Sequence, residues 1–134
     1  MSRSPHAPSV VIVGAGPRGA GVLERMVASA PELLSDALAG PGVDVHLVDP
    51  FPAGAGRIWR HAQSALLAMN SMAADVTMWT DSSVVCDGPV APGPSFWDWA
   101  QDLREHGDPR AELGPELAEE LAQVTATTFP SRRL

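Results

Sequence analysis

Residues 10–26 read VVIVGAGPRGAGVLERM, and this run decides the architecture. With Ser9 before it, Val10-Val11-Ile12-Val13 is a continuous β-branched stretch, the pattern of a parallel strand buried on both faces. Glycines end it. From Pro17 or Arg18 onward, Ala20, Leu23, Val27 and Ala30 recur at helical spacing and share one face, with Glu24 and Arg25 turned elsewhere. Between strand and helix stands Gly14-Ala15-Gly16-Pro17-Arg18-Gly19, a G-x-G-x-x-G. Gly14 permits the tight turn out of the strand, and Gly16, lacking a Cβ, lets a pyrophosphate approach the backbone. Gly19 lets the helix pack close to the sheet. The helix N-terminus offers unpaired N–H groups and a partial positive charge. These features together predict a site for the phosphates of a dinucleotide.

Val43-Asp44-Val45-His46-Leu47-Val48 alternates until its end and reads as a second strand, closed by Asp49-Pro50. A carboxylate at that position accepts hydrogen bonds from both ribose hydroxyls of an adenosine and repels a 2′-phosphate. Asp49 stands 30 residues beyond Gly19, against a usual spacing of about 20. The extra length is the segment 31–42, where a loop can be added without moving either strand. Asp49 also fits a second role, as a turn residue before proline.

Outward from this unit the signals are local. Residues 1–8 are polar and proline-broken, a flexible tail. Glu32 to Leu38 either extends the first helix by a turn or forms a surface loop, and Gly40-Pro41-Gly42 stops it. Leu66–Asn70 and Val76–Trp79 read as short strands, or the former as the end of a short helix. Ser95 is placed to cap a helix, with Asp98 at the capping-box position. Phe96, Trp99 and Leu103 would then line one side of a helix reaching His106. Pro115, Leu117, Leu121 and Val124 predict a final acidic helix.

Composition excludes several classes. The formal net charge of −7 disfavours nucleic acid and anionic membranes as partners. One cysteine, Cys86, excludes an internal disulfide framework or a cysteine-built zinc site, and the four histidines lack metal-ligand spacing. Cys86 has no basic neighbour in sequence to activate it as a nucleophile, and no Gly-x-Ser-x-Gly elbow marks a hydrolase. Trp59, Trp79, Trp97 and Trp99 read as large core residues rather than flavin-stacking ones. No run is long enough to span a bilayer, and the first residues lack the apolar segment of a signal peptide. A cytoplasmic location is the expectation.

VVIVGAGPRGAGVLERM, VHLVDPFPAGAGRIWR (45–60) and QSALLAMNSMAADVTMW (63–79) together resemble the N-terminal FAD/NAD(P)-binding domain of bacterial flavin monooxygenases. That family includes FAD-dependent urate hydroxylases and aspartate monooxygenases. The resemblance implies an α/β, Rossmann-type fold over residues 9–134, a single domain with an incomplete parallel sheet and C-terminal helices. It implies FAD as cofactor, held by Gly14, Ala15, Gly16, Pro17, Arg18 and Gly19 at the pyrophosphate and by Asp49 at the ribose. Gly54, Gly56 and Arg57 would form a second flavin-contacting loop, and Asn70 would offer an amide to the flavin. Members of the family are several times longer, with NAD(P)H as co-substrate and O2 as oxidant of a small polar metabolite. The chain would be the front of such an enzyme, its catalytic remainder missing or carried by a separate chain. A non-catalytic NAD(H)- or FAD-binding module and a non-functional remnant are the rival readings.

Overall fold

The computed structural model describes residues 8–33, 42–107 and 114–134. The described residues fall into two compact units. One runs up to Arg57 and takes in Ser82–Ala91; the other comprises Ile58–Asp81 and Pro92–Leu134.

The first unit holds strand β1 (Ser9–Val13), helix α1 (Pro17–Leu33) and strand β2 (Asp44–Val48). The strands are parallel, with Val10 opposite Val45 and Val13 opposite Val48. The ladder runs past the strand ends: Asp44 N–H donates to the Pro8 carbonyl at 2.9 Å, and Gly14 N–H donates to the Val48 carbonyl at 2.8 Å. Pro8 is therefore tied to the sheet, while the rest of the expected tail, 1–7, lies outside the described residues. Helix α1 carries Pro31 in its last turn, so the chain stays helical to Leu33. The expected loop after it, 34–41, also lies outside the described residues.

Two expectations for this unit fail. Strand β1 is not buried on both faces: Val11 is 57% and Val13 83% exposed. Burial on both faces needs neighbouring strands and two covering layers, and among the described residues this sheet has two strands. Nor does Glu24 face away from the packing. It is 7% exposed, whereas Val27 of the expected apolar stripe is 65% exposed. The Glu24 carboxylate takes two hydrogen bonds from its neighbour Arg25, each 2.7 Å, and Arg25 Nη1 donates to the Pro89 carbonyl at 2.8 Å. The pair thereby ties α1 to the 82–91 segment. Hydrogen bonding to Arg25 holds the Glu24 carboxyl below its ordinary range.

The second unit is built on helices α2 (Phe96–His106) and α3 (Pro115–Ala122). Ser95 caps α2 as expected, its hydroxyl accepting from Asp98 N–H at 3.1 Å while Asp98 Oδ2 accepts from Ser95 N–H at 2.9 Å. Hydrogen bonds from Ser95 lower the Asp98 pKa. Ala73, Ala100, Leu121 and Val124 form the core, with Phe96, Trp97, Leu103 and Leu134 packed against it. Trp97 takes the inward place expected of Trp99, which is 38% exposed and tilts against Phe96 at 5.3 Å between ring centroids. Arg104 lies 4.8 Å over the Trp97 ring and donates to the carbonyls of Ala122 and Val124. A cation there answers the negative end of α3.

Neither Leu66–Asn70 nor Val76–Trp79 is a strand. The first meets the chain end through one antiparallel bridge, Ala68 to Ser131, flanked by Met69 N–H to Pro130 O at 2.7 Å and Arg132 N–H to Leu67 O at 2.8 Å. Pro130 has no N–H to give back, so the pairing cannot extend into a regular ladder. Among the described residues, no helix is long and apolar enough to cross a membrane, and no group of three His, Cys, Asp or Glu is placed to hold a metal ion.

Candidate functional site

The loop between β1 and α1 is held from three sides within the first unit. Its strand end is fixed by the Gly14–Val48 bond, with Gly14 at φ +99°, a conformation that L side chains rarely adopt. Its middle is fixed by Asp49. One carboxylate oxygen of Asp49 accepts from Ala15 N–H at 2.8 Å and the other from Phe51 N–H at 2.8 Å. Of the two roles read for Asp49, the structure shows the turn, closed at Pro50 by Oδ1, while Oδ2 makes a third contact, to the glycine loop. Each carboxylate oxygen retains a lone pair for another donor.

The third support is the loop after β2. Gly54 N–H donates to the Ala15 carbonyl at 2.6 Å. Gly56, at φ +58°, sits against Gly16, where a Cβ on Gly56 would come within 2.8 Å of the Gly16 Cα. The sequence-predicted second loop is thus brought against the first. Arg57 follows it, exposed, and has no ion-pair partner among the described residues.

The three loop glycines differ in what constrains them. A Cβ on Gly19 would overlap the Gly14 carbonyl oxygen, so close packing of helix on loop demands glycine there. A Cβ on Gly16 would meet only the Gly56 Cα, at an ordinary 3.7 Å. The protein's own packing leaves room at Gly16, which suits a position reserved for a ligand's approach. The first helical bond is Ala20 N–H to Gly16 O at 2.9 Å. The amides of Arg18 and Gly19 precede it and have no intrahelical acceptor, as at any helix start, while Pro17 carries no N–H. A strand, a glycine turn, free amides at a helix N-terminus and an acid after the next strand stand together. Residues 11–134 match the FAD-NAD(P)-binding family.

The chain belongs to that family.

Three named relatives are similar to the chain in sequence. It is 52% identical over 103 residues to nitrosuccinic acid synthase npaA of Aspergillus oryzae, covering 77% of this chain and 15% of the relative. It is 40% identical over 124 residues to an L-aspartate N-monooxygenase (nitrosuccinate-forming) of Streptomyces davaonensis, and 43% identical over 127 residues to one of Streptomyces cremeus. Each Streptomyces match covers 92% of this chain and 18% of the relative. The chain thus spans less than a fifth of the length of these relatives.

The remaining candidates are placed as follows. Asn70 belongs to the second unit, on an exposed loop. His61 pairs with the Arg133 carbonyl at 2.8 Å and His106 with Asp102 at 3.0 Å. The tryptophans divide: Trp59 and Trp97 are partly buried, Trp99 is exposed, and Trp79 lies against Gly93 and is also exposed. Sequence reading missed the burial of Glu24 and the bond from Gly54 to Ala15. The signal for the former was present, since an acid followed directly by arginine within an amphipathic helix can neutralise itself.

Proposed function

We propose that this chain is the FAD-binding portion of a flavin-dependent N-monooxygenase. The observation that carries this reading is the position of the Asp49 carboxylate, hydrogen-bonded to Ala15 N–H inside the glycine loop. Gly14, Ala15, Gly16, Pro17, Arg18 and Gly19 would line the pyrophosphate, Asp49 would take the adenosine ribose, and Arg57 would meet a phosphate through a two-pronged hydrogen bond. The Gly54–Arg57 loop, docked on the first loop, favours FAD over NAD. Bound FAD would supply the redox chemistry between NAD(P)H and O2, while the protein contributes binding and orientation. In the complete protein the substrate would be a small polar amine, by likeness to relatives named for L-aspartate. The residues that act on it would come from further sequence or from a separate chain.

Titrating the purified chain with FAD and separately with NAD tests this reading. Saturable, FAD-selective binding is expected, with quenched flavin fluorescence and a rise in melting temperature by mass action. A folded, monodisperse sample that binds neither would end it. Asp49→Ala is expected to weaken FAD binding by about 1–3 kcal/mol through lost charge-assisted hydrogen bonds. The same variant should also melt earlier, because Ala15 and Phe51 lose their acceptor. Unchanged FAD affinity with a lowered melting temperature would confine Asp49 to holding the loop.

A further inference from the structure

Residues 14–19 carry five backbone N–H groups, since Pro17 has none, and the first unit's own packing uses two of them. Gly14 donates to the Val48 carbonyl at 2.8 Å, and Ala15 donates to Asp49 Oδ2 at 2.8 Å. Ala15 is 2% exposed, and its carbonyl is engaged as well, accepting from Gly54 N–H at 2.6 Å. Ala15 is thus clamped at both backbone groups, and its amide is out of a ligand's reach. The amides of Gly16, Arg18 and Gly19 have no acceptor among the described residues. The first of these free amides, at Gly16, belongs to a half-buried residue whose place is set from outside its own loop.

Gly56 sets it. This residue is buried, stands at φ +58°, and would bring an added Cβ within 2.8 Å of Gly16 Cα and 3.4 Å of Gly16 N. Both neighbours are backbone atoms, so no side-chain rotation makes room. The segment that carries Gly56 is itself closed, by Asp49 Oδ1 on Phe51 N–H at 2.8 Å and by Gly56 N–H on the Pro52 carbonyl at 3.0 Å. We propose that Gly56 is a positioning residue: it touches no ligand, and its lack of a side chain fixes where Gly16 and the free amides after it stand for the phosphates. This role differs from the direct flavin contact that the family resemblance implies for the loop. A binding loop braced before the ligand arrives has less freedom to lose on binding. The phosphate ligand rests on the proposed FAD-binding function; the brace between the two loops does not.

The test combines amide NMR, hydrogen exchange and FAD titration on the whole chain and two variants. Asn tolerates positive φ better than most side chains, so Gly56→Asn keeps the turn and adds a Cβ against Gly16. Gly42→Asn is the control, at φ +71° with nothing within 4 Å of an added Cβ. Without ligand, the Ala15 and Gly54 amides should exchange slowly in the parent and in Gly42→Asn. In Gly56→Asn they should lose that protection, with shifts moved at Ala15 and Gly16 and the β1 and β2 amides in place. FAD affinity should fall by about tenfold or more in Gly56→Asn, as overpacking strain passes to Gly16, and stay parental in Gly42→Asn. On the parent, FAD should shift the Gly16, Arg18 and Gly19 amides and leave Ala15 protected. Parental affinity in a folded Gly56→Asn chain overturns the proposal, and so does an equal loss in Gly42→Asn, which would make positive φ the cause. If Gly56→Asn does not fold, the parent decides: fast exchange at Ala15 and Gly54, or loss of Ala15 protection on adding FAD, overturns it. A parent that binds no FAD ends the flavin reading alone, and the brace is then decided by Ala15 exchange in Gly56→Asn against Gly42→Asn.

Discussion

Gly19→Ala is expected to cost the first unit most of its stability, lowering the melting temperature by roughly 10 °C or more. The added methyl would overlap the Gly14 carbonyl oxygen and stand 3.0 Å from the carbonyl carbon and 3.3 Å from Ile12 Cγ2. Two of these atoms are backbone, so no side-chain rotation relieves the contact. Gly14 cannot easily yield, because its φ of +99° and its bond to Val48 O fix the exit of β1. The alternative is for α1 to move away from the loop, which would disturb the apposition of helix, loop and Asp49. Overpacking typically costs about 1–3 kcal/mol. In a domain of this size each kcal/mol shifts the midpoint by roughly 4–8 °C.

Gly21 supplies the control for Gly19. It lies in the same helix, and a methyl added there would find nothing within 4 Å. Gly21→Ala should therefore stabilise α1 by about 0.5–1 kcal/mol through helix propensity. Thermal or urea melts of both variants decide the matter. A Gly19→Ala chain melting within about 1 °C of the parent would mean that helix and loop are not packed as described.

What the sequence discloses and what it hides divide along range. The strand–glycine–helix–strand order, the cap at Ser95 with Asp98, and the final helix from Pro115 are written in neighbouring residues, and each stands where expected. The exposure of Val11 and Val13 was hidden, because a β-branched run reports what a strand can pack against and not how many neighbours it has. The irregular 66–70 segment was hidden for a related reason: its partners lie around Pro130, far along the chain. Glu24 misled because helical periodicity counts apolar residues alone, whereas its neutralising partner is adjacent and its tether, through Arg25 to Pro89, spans 64 positions. In the candidate site, residue types and spacing were legible. The bonds that assemble them were not: Ala15 to Asp49 crosses 34 positions, and Gly54 to Ala15 joins two loops that sequence treats separately.

Gly16→Val should separate folding from ligand binding. Gly16 does not have a positive φ, so a side chain there meets no backbone strain. Its Cβ would touch only the Gly56 Cα, at 3.7 Å. The valine methyls crowd Gly56 somewhat, at a cost of about 1 kcal/mol, the low end for overpacking, and Gly16→Ala avoids even that. FAD, by contrast, would lose the approach of its pyrophosphate to the bare backbone. Affinity is expected to fall by on the order of a hundredfold, about 2.7 kcal/mol. Flavin fluorescence and a melt on the same sample give both quantities. A near-parental melting temperature with binding lost places the phosphate at Gly16, whereas parental FAD affinity in a folded Gly16→Val chain would remove the glycine loop from the binding site. With those outcomes, this variant and Gly19→Ala would assign two glycines of one motif to different tasks, Gly19 to the packing of helix on loop and Gly16 to the ligand.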